Sequence, residues 1–374
     1  MRRLALTLLS AAALFCSCQS GVNTADEGCI KVDSVFYARG FRIEYCEGYT
    51  SVAIRNPWDT LKLKKRYILV EKGRDLPERL PDGIVIRTPV ERAVVYASVH
   101  ASMVEQMGAS GSIAGICESE YVTSSAIRSM VDSGLIVDVG LSTSPDVEKI
   151  TELNADVIIA SPFENSGYGA AEKLGIPIVE AADYMESHPL GRTEWGRFYG
   201  LLFGRQAQAD SIFKATAGRY NELKHLASSA KDKPTVLLER KYGGSWPVPT
   251  GSSYISIFHS DAGADYIFKD YVGGEAASLP FEKVLDLAVD ADLWLFKYGS
   301  EKQYSYKDLE EEYKPYSHFE AFKKRHIYAC NTLLTPYYED LTLHPDLILE
   351  EFISLYHPEL LPGYKPRYYL PLQQ

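Results

Sequence analysis

Cysteine and methionine are scarce in this chain of 374 residues, at six and five. No Cys-x-x-Cys pair and no Cys/His cluster occurs, which argues against a structural zinc module. Excess positive charge is absent too. The formal net charge is −11, whereas nucleic-acid binders carry a basic face. After the first residues no apolar run approaches the roughly 18 that a membrane-spanning helix needs. There is no Gly-x-Ser-x-Gly elbow, no phosphate-binding P-loop and no His-Glu-x-x-His. In "GASGSIAG" the spacing of Gly108, Gly111 and Gly115 is wrong for a dinucleotide loop and reads as a helix stop followed by a tight turn. No catalytic residues are assigned and no cofactor is expected. The eight histidines are scattered without a His-x-x-x-His pair, which disfavours direct metal ligation.

What is present is an ordinary globular composition, 46% hydrophobic and 24% charged, and enough length for two domains with separate cores. Tyrosine is abundant, at 26, and supplies apolar area with a polar tip. The opening "MRRLALTLLSAAALFCSCQS" has a charged start (Arg2, Arg3) and an apolar stretch from Leu4 to Phe15, the pattern of an export signal. Its end resembles a bacterial lipobox. Cys18 follows the small residue Ser17, while Phe15 stands where Leu is usual. Cys18 is therefore the expected lipidation site, with 1–17 removed and 18–28 a polar tether. A lipid at that position anchors a folded domain to a membrane without spanning it. Cys29 and Cys46 flank a strand-like stretch and are positioned to pair across a hairpin in an exported protein.

The phrase "VEKITELNADVIIASPF" at 147–163 returns as "FEKVLDLAVDADLWLF" at 281–296. Each copy has Glu-Lys followed by a β-branched residue (Ile150, Val284), then Ala-Asp (Asp156, Asp292) before an apolar run. The separation suits two similar domains and is too long for a solenoid. Residues 29–90 read as a β-rich extension punctuated by turn residues. From 91 to 190 short apolar strands alternate with helices, as in an α/β lobe with a mainly parallel sheet. In it "SPDVEKITELN" is a helix with Ser144 as N-cap and Pro145 at its first position. Residues 191–230 keep helical spacing for about 35 positions, or roughly 50 Å, long enough to cross from one lobe to another. The alternation restarts over 231–374, where "SLPFEKVLDLAVD" reads as a helix starting near Ser278 or Leu279. The fold class is thus α/β: two Rossmann-like lobes, one long interlobe helix and an added N-terminal β layer.

This order of phrases resembles the class III periplasmic substrate-binding proteins of ATP-driven importers for ferric siderophores, haem and cobalamin. The carriers are "RTPVERAVVYASVHASMVEQMGA", "SPDVEKITELNADVIIASP", "HPLGRTEWGRFYGLLFG", "KPTVLLERKYGGSWPVPTGSSY" and "SLPFEKVLDLAVDADLWL". The resemblance covers about 85–362 and leaves 29–84 outside the family core. It implies a substrate-binding lipoprotein of the cell envelope, facing the periplasm, that captures a metal chelate (a ferric siderophore or haem) between its lobes. It implies as partners that ligand, an ABC permease and its ATPase. A corrinoid ligand is the alternative within the family, although Ser142 and Ala276 stand where the cobalamin binder has tryptophans. A ligand-holding chaperone or sensor without a transporter is the alternative of another class. In the family one glutamate on each lobe docks onto permease arginines, and "DVEKI" and "FEKVL" carry that role to Glu148 and Glu282. The competing reading makes each a solvated residue at a helix start.

Ligands of open α/β sheets sit beyond the carboxyl ends of strands. Four loops follow strands here. "SVHAS" offers Ser98 and His100, "ESEY" offers Glu118 and Tyr121, and "SPFENSGY" offers Phe163, Glu164 and Tyr168. "RKYGGSWPVPTGSSY" offers Arg240, Lys241, Tyr242, Trp246 and Tyr254 among glycines. In the family the second-lobe aromatic contact falls in this loop, which makes Trp246 the first ligand candidate. The competing readings are a packing role for Trp246, a solvated pair for Arg240 and Lys241, and a cap or core contact for His100.

Overall fold

The computed structural model describes residues 29–33 and 35–374. The leader, Cys18 and the tether lie outside them. Five strands open the described chain: β1 (Cys29–Val32), β2 (Phe41–Cys46), β3 (Tyr49–Asn56), β4 (Asp59–Glu71) and β5 (Ile84–Thr88). They form one sheet in chain order, antiparallel until β5 joins β4 in parallel. Cys29 and Cys46 lie directly opposite in β1 and β2 and are joined by a disulfide. The sheet's inner face carries Phe41, Ile43, Val52, Ile54, Tyr67 and Leu69. These pack into the same core as Val95, Val104, Ile116 and Phe198 of the first lobe. The N-terminal layer is therefore part of that lobe's hydrophobic core.

The first lobe runs β6 (Ala93–Val95), α1 (Ser98–Gln106), β7 (Ile113–Ile116), α2 (Ser125–Asp132) and β8 (Val137–Asp138). A two-residue ribbon, β9 (Gly140–Leu141) with β10 (Ser144–Pro145), leads to α3 (Val147–Glu152), β11 (Val157–Ala160) and β12 (Ile178–Glu180). Its parallel sheet has the order β12-β11-β6-β7-β8. Three helices follow: α4 (Pro189–Glu194), α5 (Gly196–Leu202) and α6 (Gln206–Ala227). The second lobe runs β13 (Thr235–Leu238), β14 (Trp246–Pro249), α7 (Tyr254–Asp261), β15 (Asp265–Tyr266), β16 (Ala276–Leu279), α8 (Phe281–Ala288) and β17 (Leu293–Tyr298). It closes with α9 (Tyr306–Glu312), α10 (Glu320–Lys323), β18 (Ile327–Asn331), α11 (Tyr337–Leu343), α12 (Pro345–Tyr356) and β19 (Tyr369–Pro371). Its sheet has the order β15-β13-β17-β18-β19, with only β19 antiparallel.

Set side by side, β7-β6-β11-β12 and β15-β13-β17-β18 are the same four-strand arrangement. The repeated phrase occupies the same place in both lobes, and its aspartate does the same work. Asp156 precedes β11; its N–H donates to Arg92 O, and its Oδ2 accepts from the N–H of Glu91 and Arg92. Asp292 precedes β17; its N–H donates to Thr235 O, and its Oδ2 accepts from Thr235 N–H and Oγ1. Each carboxylate thus fixes the register at the start of two adjacent parallel strands.

The interlobe helix differs in length from the sequence expectation. Gly204 adopts φ +65° and the backbone leaves helical geometry at Arg205. A Cβ on Gly200 would come within 2.7 Å of Ala209 Cβ, so α5 and α6 pack too closely there for any larger residue. The 22-residue α6 makes the crossing. Ala209 sits in the first lobe's core, and Phe213, Tyr220 and Leu223 sit in the second's. Two helix starts also shift. Asp146 caps α3 through Oδ1 to the N–H of Glu148 and Lys149, while Ser144–Pro145 forms ribbon. Pro280 precedes α8, because Ala276–Leu279 is a strand paired with β14.

A strap connects β1 to β2 and crosses the bridge helices. The Glu194 carboxylate accepts the N–H groups of Phe36, Tyr37 and Ala38 at 2.8–3.1 Å. Glu186 accepts those of Arg39 and Gly40, and also Trp195 Nε1. A side chain at Gly40 would meet Glu186 Oε1 and Trp195 Cζ2, each at 2.9 Å; glycine allows that approach.

Candidate ligand cleft between the lobes

The carboxyl ends of both sheets supply the loops that meet between the lobes. Thr123, in the loop after β7, donates its hydroxyl to Glu339 Oε1 of α11 at 3.0 Å. Thr193 of α4 donates to Thr342 O at 2.7 Å. Arg192, also on α4, joins the two sides. Its Nη2 donates to Tyr184 O, beyond β12, and its guanidinium lies 3.3 Å from the ring centroid of Tyr254 at the start of α7. Such stacking is a cation–π contact, strongest when desolvated, and Arg192 is buried.

A second cation lies beside the first. Lys297, near the end of β17, pairs with Glu239 at the end of the adjacent β13. Burial opposes the ammonium charge, but Glu239, Tyr337 and Tyr254 together hold the lysine pKa above its ordinary value. Glu239 takes φ +61°, a conformation disfavoured for side chains with a Cβ. Tyr254 and Tyr338 are raised by burial and drawn back by these cations, Tyr254 chiefly by Arg192 and Tyr338 by Lys297. Asp183, after β12, is pushed up to about 6 by burial, against the pull of Arg192. Its Oδ1 is buried without a hydrogen-bond partner. Exposed aromatic rings stand on strand-end loops of both lobes and, for Tyr338, in the first turn of α11. Tyr121 and Phe163 belong to the first, Tyr242 and Tyr338 to the second. Phe163 tilts against Tyr184, with centroids 6.1 Å apart.

The residues read from the sequence fare unequally. Tyr121, Phe163 and Tyr242 are exposed, at 58%, 61% and 85%. Tyr254 lies under Arg192. Ser98 opens α1 and is half-buried. Glu118 is turned back, its Oε1 accepting from Ser142 N–H and Oγ. Glu164 is exposed, and the Tyr168 hydroxyl donates to Ser161 O. Arg240 is tied to Glu312 and lies over Phe296 and Tyr304. Lys241 donates to Gly243 O and lies over Tyr313.

Two candidates are corrected. Trp246 has no exposed surface; its Nε1–H donates to Leu238 O, and its ring packs among Phe281, Trp294, Tyr316 and Phe319. It is a core residue, placed by the unforeseen pairing of β14 with β16. His100 is also buried, between Tyr199 Oη at 2.8 Å and Ser161 Oγ at 3.2 Å. It supports the Ser161 hydroxyl at the end of β11 and has no face for a ligand. Glu148 and Glu282 occupy the first turns of α3 and α8, and both are exposed. Arg192, Lys297, Glu239 and Tyr338 were not read from the sequence. The available signal was a single Lys closing the apolar strand "LWLFKY".

Burial pushes His100 down to about 4 and His259 down to about 3. Each is neutral in the fold, whereas an unfolded histidine takes a proton below about 6.5. Stability present above that value is therefore lost as pH falls toward 4. The loss comes to roughly 2 kcal/mol per histidine at pH 5. Asp183, raised by burial, gains stability over the same range and offsets part of this loss; calorimetry should still show Tm falling between pH 7.5 and 5, and His100→Gln should make that slope shallower. An unchanged slope in the variant would assign the acid sensitivity elsewhere.

A family model described as "Periplasmic binding protein" matches residues 93–332. An "uncharacterized lipoprotein" of Methanocaldococcus jannaschii is 27% identical over 361 residues, spanning 89% of this chain and 84% of the relative. A "possible an iron-binding (periplasmic solute-binding) protein" from Staphylococcus epidermidis superposes with TM-score 0.57 and 14% identity, over 72% of this chain and 99% of that one. S. aureus IsdE, solved in complex with heme, superposes with TM-score 0.55 and 18% identity, over 71% and 98%. At these identities the solved structures share the fold.

Proposed function

We propose, from the premise that this chain belongs to the periplasmic binding protein family, that it is the binding component of an ABC-type importer. Its cargo is a metal chelate, a ferric siderophore or haem, taken up between the lobes and handed to a permease and its ATPase. The observation that carries this reading is the composition of the cleft. Arg192 and Lys297 supply its cations, Tyr121, Phe163 and Tyr242 stand exposed on its loops, and Tyr338 is exposed at the start of α11. Cations with aromatic faces suit a large ligand that is both anionic and flat. The heme complex of the S. aureus relative is in keeping with this class of cargo. On this reading the chain sits in the cell envelope, tethered through Cys18, and Glu148 and Glu282 meet the permease.

Titration of the protein with a ferric siderophore, haemin and cobalamin, followed by tyrosine and tryptophan fluorescence, tests the cargo. Saturable quenching by the siderophore or by haemin at submicromolar concentration is the expected result. Phe163→Ala with Tyr242→Ala should weaken it about tenfold, roughly 1.4 kcal/mol, with Tm unchanged because both rings are exposed. Quenching by cobalamin alone would transfer the assignment to corrinoids. No response to any of the three would favour a sensor or chaperone.

A further inference from the structure

A groove of about 620 Å³ lies on the strap, away from the interlobe cleft. Val32, Val35 and Phe36 form an apolar side, His188 contributes from the turn before α4, and Ile257 reaches it from α7 of the second lobe. Arg39, Arg42 and Arg55 also line it. The carboxylates nearby are already engaged. Asp33 is held by Arg197 at 2.7 Å, and Glu44 by Arg42 at 2.6 Å. Glu186 and Glu194 take the strap's N–H groups. Among the described residues no carboxylate lies within ion-pair distance of Arg39 or Arg55. The same two arginines line a second groove of about 350 Å³ beside Asn56, Thr60 and Met185.

We propose that the larger groove binds a phosphate-bearing amphiphile, with Arg39 and Arg55 holding the phosphate and Val32, Val35 and Phe36 receiving the apolar part. Guanidinium groups match phosphate oxygens in geometry as well as charge. The volume falls within the usual range for small-molecule sites, about 300–1,000 Å³. Cationic and apolar surface lie side by side, which a simple inorganic anion does not use and a lipid does. The phosphate is that of an anionic lipid headgroup, and free phosphate is the competing occupant. This site is independent of the cargo cleft.

Calorimetric titration of the full chain separates the two occupants, using short-chain phosphatidylglycerol, short-chain phosphatidylcholine and inorganic phosphate as probes. Phosphatidylglycerol should bind about tenfold more tightly than either of the others. Arg39→Ala with Arg55→Ala should abolish the difference, while Arg39→Lys with Arg55→Lys retains part of it. Among the described residues neither guanidinium has an ion-pair partner, so Tm should hold in both variants. Equal binding of inorganic phosphate and phosphatidylglycerol, lost in the alanine variant, would make this a phosphate site and overturn the amphiphile. Absence of binding by all probes, or binding that survives the alanine variant, overturns the proposal.

Discussion

Reversal of both Glu148 and Glu282 to Lys should lower cargo uptake by about 100-fold, equivalent to roughly 2.7 kcal/mol of docking energy. Cargo affinity should not change. The two carboxylates occupy equivalent positions in two lobes of the same strand order. Both are exposed at helix starts, so the fold has little dependence on their charge. Two matched anions at fixed separation can engage two guanidinium groups at once and set the orientation of the complex. A single reversal leaves one point of attachment and should fall between the extremes. The measurement is uptake of labelled cargo by cells carrying each variant, with purified proteins titrated in parallel. Uptake at the parental rate in the double variant would remove the docking assignment.

Glu194→Ala should be the most damaging change outside the sheets, costing about 3 kcal/mol or more. The side chain is fully buried and receives three consecutive backbone N–H groups. Arg197 also lies 3.5 Å away. Removing the carboxylate leaves those donors facing a cavity without water enough to replace it. The strap should then become accessible to protease between Tyr37 and Arg39, ahead of global unfolding. Denaturant unfolding and mapping of the first cleavage check both statements. A loss below about 0.5 kcal/mol, the range of ordinary surface changes, would mean that the strap is held by other contacts.

Local chemistry made much of the architecture legible. Apolar strands opened by Ala-Asp announced both lobes, because a carboxylate before a parallel strand has a definite job, visible at Asp156 and Asp292. The break near Gly204 was harder to read, since the apolar spacing continues across it and a glycine inside helical periodicity is ambiguous. Among the residues read as ligand candidates, exposure was legible where they lie on loops. Tyr121, Phe163 and Tyr242 needed nothing more than the strand-end rule. Trp246 sits in an equally suggestive loop, but the pairing of β14 with β16 turns it into the core, and strand pairing is a non-local fact. Arg192 and Lys297 lie inside regular elements, where sequence gives no hint that a cation will face a tyrosine.

The strap has a consequence for how this protein can vary. Glu186 and Glu194 hold residues 36–40 by their main chain, and every residue except proline offers the same N–H. The fastening is therefore blind to side-chain identity. Phe36 and Arg39 are free to be exchanged for other groups without loosening the layer, whereas Tyr37 is also held by its ring against His188 and Phe213, so the groove can be refitted at the first two positions one substitution at a time. Proline is barred from those positions, Gly40 is fixed by its neighbours, and the two glutamates must stay.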